Sequence, residues 1–321
     1  MAEAADATVQ SYLDLAEGVY QLGRLDEAAE ILERAAEAAH EFGDDDPHVA
    51  DVLNRLGVIR SRQGRYSEAE RLLKRAAGIY DRALGDYGPR LATTLSNLGA
   101  VCRVTGRNAQ ARAAFERALR EAEIGFGSSD IRVAWTLDQI GDLEASAGDL
   151  PAAVFALRRS LSIKEQARGC DAWDLAVTLN KLGEIYLKNG RYNEAEAYLL
   201  RVVEVRERML GWGDPAMARP LTKLGHLYSK QRKDGRAEQL VRYALKLYSD
   251  VLAADHPEVI GCLNLLAEIY RGLGRYKDAD AVWNLSQGLL AGTERRERIA
   301  RFVLPNPPRM SGPPSPAYGT A

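Results

Sequence analysis

The chain has 321 residues, 46% of them hydrophobic and 27% charged, with few aromatics and a net charge of −2. No apolar run approaches the roughly 18 residues a membrane-crossing helix needs, and so even a charge balance lacks the basic stripe with stacking aromatics that marks a nucleic-acid surface. Cys102, Cys170 and Cys262 lie far apart and are odd in number, which argues against a disulfide framework and for a reducing compartment.

The N-terminal stretch MAEAADATVQ is acidic and has no basic, then apolar, secretion pattern, so a cytoplasmic location is expected. Residues 1–46 hold 13 acidic and 2 basic residues, a net of −11 that leaves +9 on the remainder. An acidic helical face that aids solubility accounts for this, although a partner can also read such polarity.

From residue 15 onward one pattern returns. Leu15-Ala16 is followed by Leu56-Gly57, Leu98-Gly99, Ile140-Gly141, Leu182-Gly183, Leu224-Gly225 and Leu266-Ala267, spaced by 41 residues once and by 42 thereafter. Twelve residues beyond each small marker stands an alanine: Ala28, Ala69, Ala111, Ala153, Ala195, Ala237 and Ala279. A period of this size denotes a repeat array.

Counted from the marker, position −7 is Ala in five copies (Ala50, Ala92, Ala134, Ala176, Ala218) and position −4 is Leu in six (Leu53, Leu95, Leu137, Leu179, Leu221, Leu263). Steps of three and four put these on one helical stripe. A second stripe around Ala195, Leu199 and Val202 predicts a second helix in each repeat, and the small residues Gly183 and Ala195 would let the pair approach closely. Gly43, Gly85, Gly127, Gly169 and Gly211 suit the left-handed residue after a helix. Pro47, Pro89, Pro215 and Pro257 can open the next helix, with Asp46 or Asp214 as cap. Pro220 lies inside a first helix and should kink it or delay its start.

These residues resemble tetratricopeptide repeats of the 42-residue form found in kinesin light chains and many bacterial proteins. The stretch ADHPEVIGCLNLLAEIYRGLGRYKDADAVW, residues 254–283, carries the resemblance most fully, and it extends over about residues 7–291. It implies an all-α fold, a right-handed α-solenoid of about seven helix-turn-helix repeats, with approximate bounds 7–43, 44–85, 86–127, 128–169, 170–211, 212–253 and 254–291. Stacked pairs of this kind should form an elongated, curved monomer. Residues 292–303, with Ile299, Phe302 and Val303 on one side, are expected to form a C-terminal capping helix. The proline-rich tail 304–321, with its PPSP, is expected to be disordered.

Catalytic signals are wanting. His40, His48, His226 and His256 show no HExxH spacing, and CxxC, GxSxG, GxGxxG and GxxxxGK[ST] patterns do not occur. No enzyme activity, cofactor or metal is expected.

A recognition surface is expected instead. Positions −3, +1 and +4 of each first helix form a stripe about 100° from the core stripe, polar and variable where the core stripe is Leu. Position −3 holds Asn54, Ser96, Asp138, Asn180, Thr222 and Asn264, and position +1 holds Val58, Ala100, Asp142, Glu184, His226 and Glu268. The resemblance implies that first helices line a concave groove in which an Asn at −3 contacts the backbone of an extended peptide, and Asn54, Asn180 and Asn264 match that position. An amide suits the role because it both donates and accepts. A solvated polar face with no ligand is the alternative. Asn97 is included beside Ser96, and Trp135 at −6 is a candidate aromatic anchor, or is packed on a neighbouring helix. Asp138, Asp142 and Glu184 suggest an acidic centre, with Arg219, His226, Lys188 and Lys230 supplying positive charge further along; Glu196 is expected on the opposite face. Position −3 carries no Lys, so the lysine and asparagine clamp for a C-terminal carboxylate that the family's chaperone-binding members use is not expected.

The function expected is a non-catalytic protein-interaction scaffold that holds a protein or peptide partner in the groove, as a monomer and away from membrane. The alternatives are a regulatory or sensor module acting on a separate enzyme, and an RNA-binding helical repeat.

Overall fold

The computed structural model describes residues 2–83, 88–167, 170–294 and 296–308, with side chains from residue 6. Gly85, Gly169 and residues 309–321 of the tail lie outside the described residues. Among those described are 14 α-helices, three short 3-10 helices and no strand. The chain divides into two compact units, Met1–Arg168 and Gly169–Ala321.

The first unit contains four helix pairs: α1 (Ala2–Gln21) with α2 (Leu25–Ala39), α3 (Pro47–Arg62) with α4 (Tyr66–Arg82), α5 (Gly88–Val104) with α6 (Asn108–Phe126), and α7 (Ile131–Ala147) with α8 (Leu150–Gln166). The second contains three: α9 (Ala172–Lys188) with α10 (Tyr192–Leu210), α11 (Ala218–Lys230) with α12 (Asp234–Val251), and α13 (Pro257–Gly272) with α14 (Tyr276–Leu290). Helix α1 begins ahead of the expected residue 7.

The marker glycines explain the tightness of each pair. A Cβ placed on Gly57, Gly99, Gly141, Gly183 or Gly225 would stand 2.4–2.8 Å from Leu73, Phe115, Leu157, Leu199 or Val241, each 16 residues ahead on the partner helix. Only a residue without Cβ permits that approach. The alanines at +12, from Ala28 to Ala279, are all fully buried, because a larger side chain would push the pair apart.

Basic residues at the N-caps of second helices pair with acids on the second helix of the preceding repeat and tie successive repeats within each unit. Arg107 donates to Glu70 at 2.6 Å, Lys233 to Glu196 at 3.2 Å and Arg275 to Glu238 at 3.0 Å. The acidic N-terminal stretch has a local explanation: Arg55 and Arg60 reach back to Glu17 and Glu33 of the first repeat, and Arg75 and Arg82 pair with Asp44 and Asp45 at the start of the second.

The turn inside each repeat uses a glycine at +7 with positive φ: Gly23, Gly64, Gly106, Gly148, Gly190 and Gly274. Arg232 occupies the same place in the sixth repeat with φ of 60°. A side chain there costs about 1–2 kcal/mol, partly offset because glycine loses more freedom on folding. Arg232→Gly is therefore expected to stabilise the protein by about 0.5–1 kcal/mol, read as a rise of about 2–3 °C in the melting temperature. A fall would show that the arginine side chain makes a compensating contact.

The glycines between repeats differ from expectation in one respect. Gly43, Gly127 and Gly211 have φ of 97°, 90° and 75° but ψ of 154°, 149° and 166°. They occupy the glycine-only extended region and not the left-handed helical one, which turns the chain sharply toward the next cap. Asp46, Asp130 and Asp214 then accept from the backbone N–H two residues on, at 2.7–2.9 Å. Pro215 opens a 3-10 turn, Pro215–Met217, and α11 begins at Ala218, so that Pro220 falls in its first turn, where the lost N–H is tolerated.

Beyond α14, Arg296–Arg301 form a 3-10 helix with Ile299 and Phe302 buried. Arg242 of α12 donates to the carbonyls of Phe302 and Val303 at 3.1 and 3.2 Å and accepts from the Leu304 N–H at 3.2 Å.

Candidate binding face on the first helices

Within each unit the first helices of successive repeats lie side by side in a fixed register, visible in repeated side-chain bonds. Position −3 meets −2 of the next repeat: Asn97 donates to Asn54 at 3.0 Å and Lys223 to Asn180 at 2.9 Å. Position +1 also meets −2 of the next, as Glu17 with Arg55 at 3.3 Å and Glu184 with Lys223. Position −6 meets −9 of the next, as Asp51 with Arg90 at 2.5 Å and, with charges exchanged, Arg219 with Glu258 at 3.0 Å.

Asn54, Asn97, Asn180 and Glu184 are half-buried on this face. Asn180 also donates to Glu184 at 2.9 Å, so each side chain has at least one internal partner. Burial pushes the Glu184 carboxyl up, but donation by Lys223 and Asn180 outweighs it and holds the group below the usual 4.5. The resulting stabilisation is present above pH 4.5 and fades as pH falls through the lowered value.

Asp138 has to be corrected. It is buried, at 6% exposure, and accepts from Ser160 Oγ at 2.7 Å and Lys164 Nζ at 2.6 Å, both on α8. It is turned into the helix pair and not toward a ligand. A buried carboxylate requires such a partner. Asn264 follows the same geometry, accepting from Ser286 Oγ at 2.8 Å, although it keeps some exposure. Serine at +19 occurs only in these two repeats, where the others have Ala35, Ala76, Ala118, Val202 and Ala244.

Asp142 and His226 are half-buried, and Arg219 and Glu268 are exposed. Burial and Lys230 lower the His226 pKa against the opposing pull of Glu268, which favours the neutral ring. Trp135 is 49% exposed on α7. In the second unit Trp173, 41% exposed, carries the Arg206 guanidinium 4.7 Å over its ring. Glu196, expected on the opposite face, accepts from Tyr228, Gln231 and Lys233. Asp280, its equivalent in the last repeat, is exposed.

Sequence reasoning missed the −2 residues Arg55 and Lys223, which cross to the preceding repeat. It also missed a hollow of about 150 Å³ among α1, α2 and α3, lined by the apolar Ala16, Tyr20, Leu32, Val58 and Ile59 together with Glu17, Asn54 and Arg55. The signal for it was present: +1 is apolar in the second repeat and charged or His from the fourth onward. Among the described residues no group of three or more His, Cys, Asp or Glu is placed to hold a metal ion, and no helix is long and apolar enough to cross a membrane.

The fold recurs in solved structures. The tetratricopeptide repeat sensor of a signal-transduction ATPase from Pyrococcus horikoshii superimposes with a TM-score of 0.73 at 12% identity, over 92% of this chain and 44% of that one. The apo form of RapI gives 0.62 at 14% identity over 91% of this chain and 98% of that one. A putative kinesin light chain from Podosopora anserina with nearly identical TPR-like repeats gives 0.56 at 18% identity, over 65% of this chain and 98% of that one. At these identities the likeness is one of fold. No curated protein matches the chain in sequence. A family model described as tetratricopeptide repeat matches residues 7–82, 90–166 and 174–250, and with the period, the glycine-spaced helix pairs and the fold in agreement, the chain belongs to the tetratricopeptide repeat family.

Proposed function

We propose that the protein is a non-catalytic interaction scaffold whose first-helix face holds an extended segment of a partner protein. The observation that carries this reading is the contrast between the two stripes of the first helices. The core stripe repeats Leu at −4 in every repeat from the second onward, while the adjacent stripe, built on the same rigid helices, changes chemistry at each step: Val58, Ala100, Asp142, Glu184, His226, Glu268. A face that only solubilised the fold would have no need of a hollow lined by Ala16, Tyr20, Val58 and Ile59. The family's general role in protein interaction supports the same reading, and a reducing, cytoplasmic setting suits the thiols Cys102, Cys170 and Cys262.

Affinity purification with mass spectrometry identifies the partner, and calorimetry on purified variants then locates the face. Glu184→Lys replaces a carboxylate with a charge that repels Lys223 and any basic ligand group, and is expected to weaken binding about tenfold or more. Asn180→Ala removes one neutral hydrogen bond and is expected to cost about 0.5–1.5 kcal/mol. Asp280→Lys on the second-helix side should leave affinity unchanged. Loss with Asp280→Lys alone would move the site to the opposite face.

A further inference from the structure

Three carboxylates are buried among the described residues: Asp138, Glu144 and Asp234. Lys164 holds the first at 2.6 Å and Arg112 the second at 2.7 Å, as buried charges require. Asp234, at 7% exposure, has no such partner, because neither of its oxygens takes part in a hydrogen bond or an ion pair. Those oxygens are not sealed in the way that the unpartnered atoms of Gln139 and Arg103 are. Asp234 lines an open depression of about 710 Å³ beside the turn from α11 to α12.

The repeat pattern lapses on both sides of this carboxylate. Position +9 opens each second helix and is Leu or Tyr in five repeats, Leu25, Tyr66, Leu150, Tyr192 and Tyr276, but Asp234 in the sixth. Position +5 carries a side chain in six repeats, from Gln21 to Lys230, but is Gly272 in the seventh. A Cβ on Gly272 would stand 2.7, 2.9 and 3.1 Å from Asp234 Oδ2, Cγ and Oδ1. Three nearly equal distances mean that the carboxylate lies with its flat face on Gly272, which leaves the in-plane lone pairs of both oxygens clear of that contact. Gly272 is also the last residue of α13, and the C-terminal end of a helix carries partial negative charge. Both features call for a cation.

The basic side chains around the depression do not supply it. Lys233 donates to Glu196 at 3.2 Å and lies 5.3 Å from the centre of the Tyr228 ring, over which Arg236 also sits at 5.9 Å. Arg232 is exposed, with φ of 60°, and makes no ion pair. A ligand must therefore bring its own positive charge. An ammonium is a point charge, whereas a planar guanidinium meets both oxygens of a carboxylate through two parallel N–H bonds.

We infer that Asp234 receives an arginine side chain of a partner protein, whose guanidinium forks onto its two oxygens beside Gly272. The site lies at the turn edge of the sixth repeat and does not depend on the first-helix face.

The test titrates Nα-acetyl-arginine amide into the isotopically labelled full chain and follows the backbone amide signals of Gly235, Gly272 and Leu273. Saturable shifts are expected at all three. The uncharged citrulline counterpart should bind about tenfold more weakly and the lysine counterpart about threefold. Asp234→Asn should weaken binding about tenfold yet melt no lower than the parent, because it removes an unpaired buried charge. Gly272→Ala displaces the carboxylate and should weaken binding about fivefold, and Arg232→Gly removes a repelling charge and should strengthen it about twofold. No saturable shift, or equal binding by the citrulline probe or by Asp234→Asn, overturns the inference. Free L-arginine bound about tenfold tighter than the capped probe also overturns it, since the site would then be one for a free amino acid. If Asp234→Asn lowers the melting temperature of the parent but not of Arg232→Gly, Arg232 itself occupies the carboxylate and the inference falls.

Discussion

Replacing Lys164 with methionine is expected to destabilise the protein by about 3–5 kcal/mol, the cost of leaving a buried carboxylate without its counter-charge. Lys164 and Asp138 side chains are only 2% and 9% exposed, and their ion pair spans 2.6 Å between α8 and α7. Burying both charges is itself expensive, so the pair need not be better than an apolar packing. The triple variant Asp138→Leu, Ser160→Ala, Lys164→Met should therefore return to within about 1–2 kcal/mol of the parent, and its serine-free position already exists in the chain at Ala76 and Ala118. Urea unfolding followed by circular dichroism measures both. A single variant as stable as the parent would show that Asp138 reaches solvent when unpaired.

Ala195→Arg is expected to be at least as damaging. Ala195 is fully buried between α9 and α10, one turn from Leu199, which already lies 2.8 Å from the place of a Gly183 Cβ. A guanidinium there must either separate the helices or stay buried without a partner, at a combined cost of more than about 4 kcal/mol. Melting should lose its cooperative transition at the parent temperature. Unchanged melting would mean that the repeat can open at its marker without loss, against the packing described for it.

Much of the fold was legible because the repeat sets one residue type at one place many times. Leu at −4, Gly or Ala at the marker and Ala at +12 each report a buried position, and agreement over six or seven copies removes the ambiguity a single short apolar stretch would have. The binding face was legible only as a stripe. Asp138 has the same spacing as Asn180, and nothing in α7 separates them; what turns Asp138 inward is Ser160 and Lys164, 22 and 26 residues later on another helix. Contacts between repeats were equally hidden, since Asn54 with Asn97 or Asn180 with Lys223 emerges only when −3 of one repeat is set against −2 of the next. The turn glycines at +7 were available to the same column-by-column reading, which singles out Arg232.

Carboxylate footprinting tests the central claim most directly. The chain is treated with a water-soluble carbodiimide and an amine, alone and with the partner recovered by affinity purification, and modification is read residue by residue by mass spectrometry. Bound partner should shield Glu184 and Glu268 on the first helices several-fold and leave Asp280 and Glu116 on the second helices unchanged. Protection of Asp280 and Glu116 with Glu184 and Glu268 still fully reactive would contradict the assignment of the first-helix face as the binding surface.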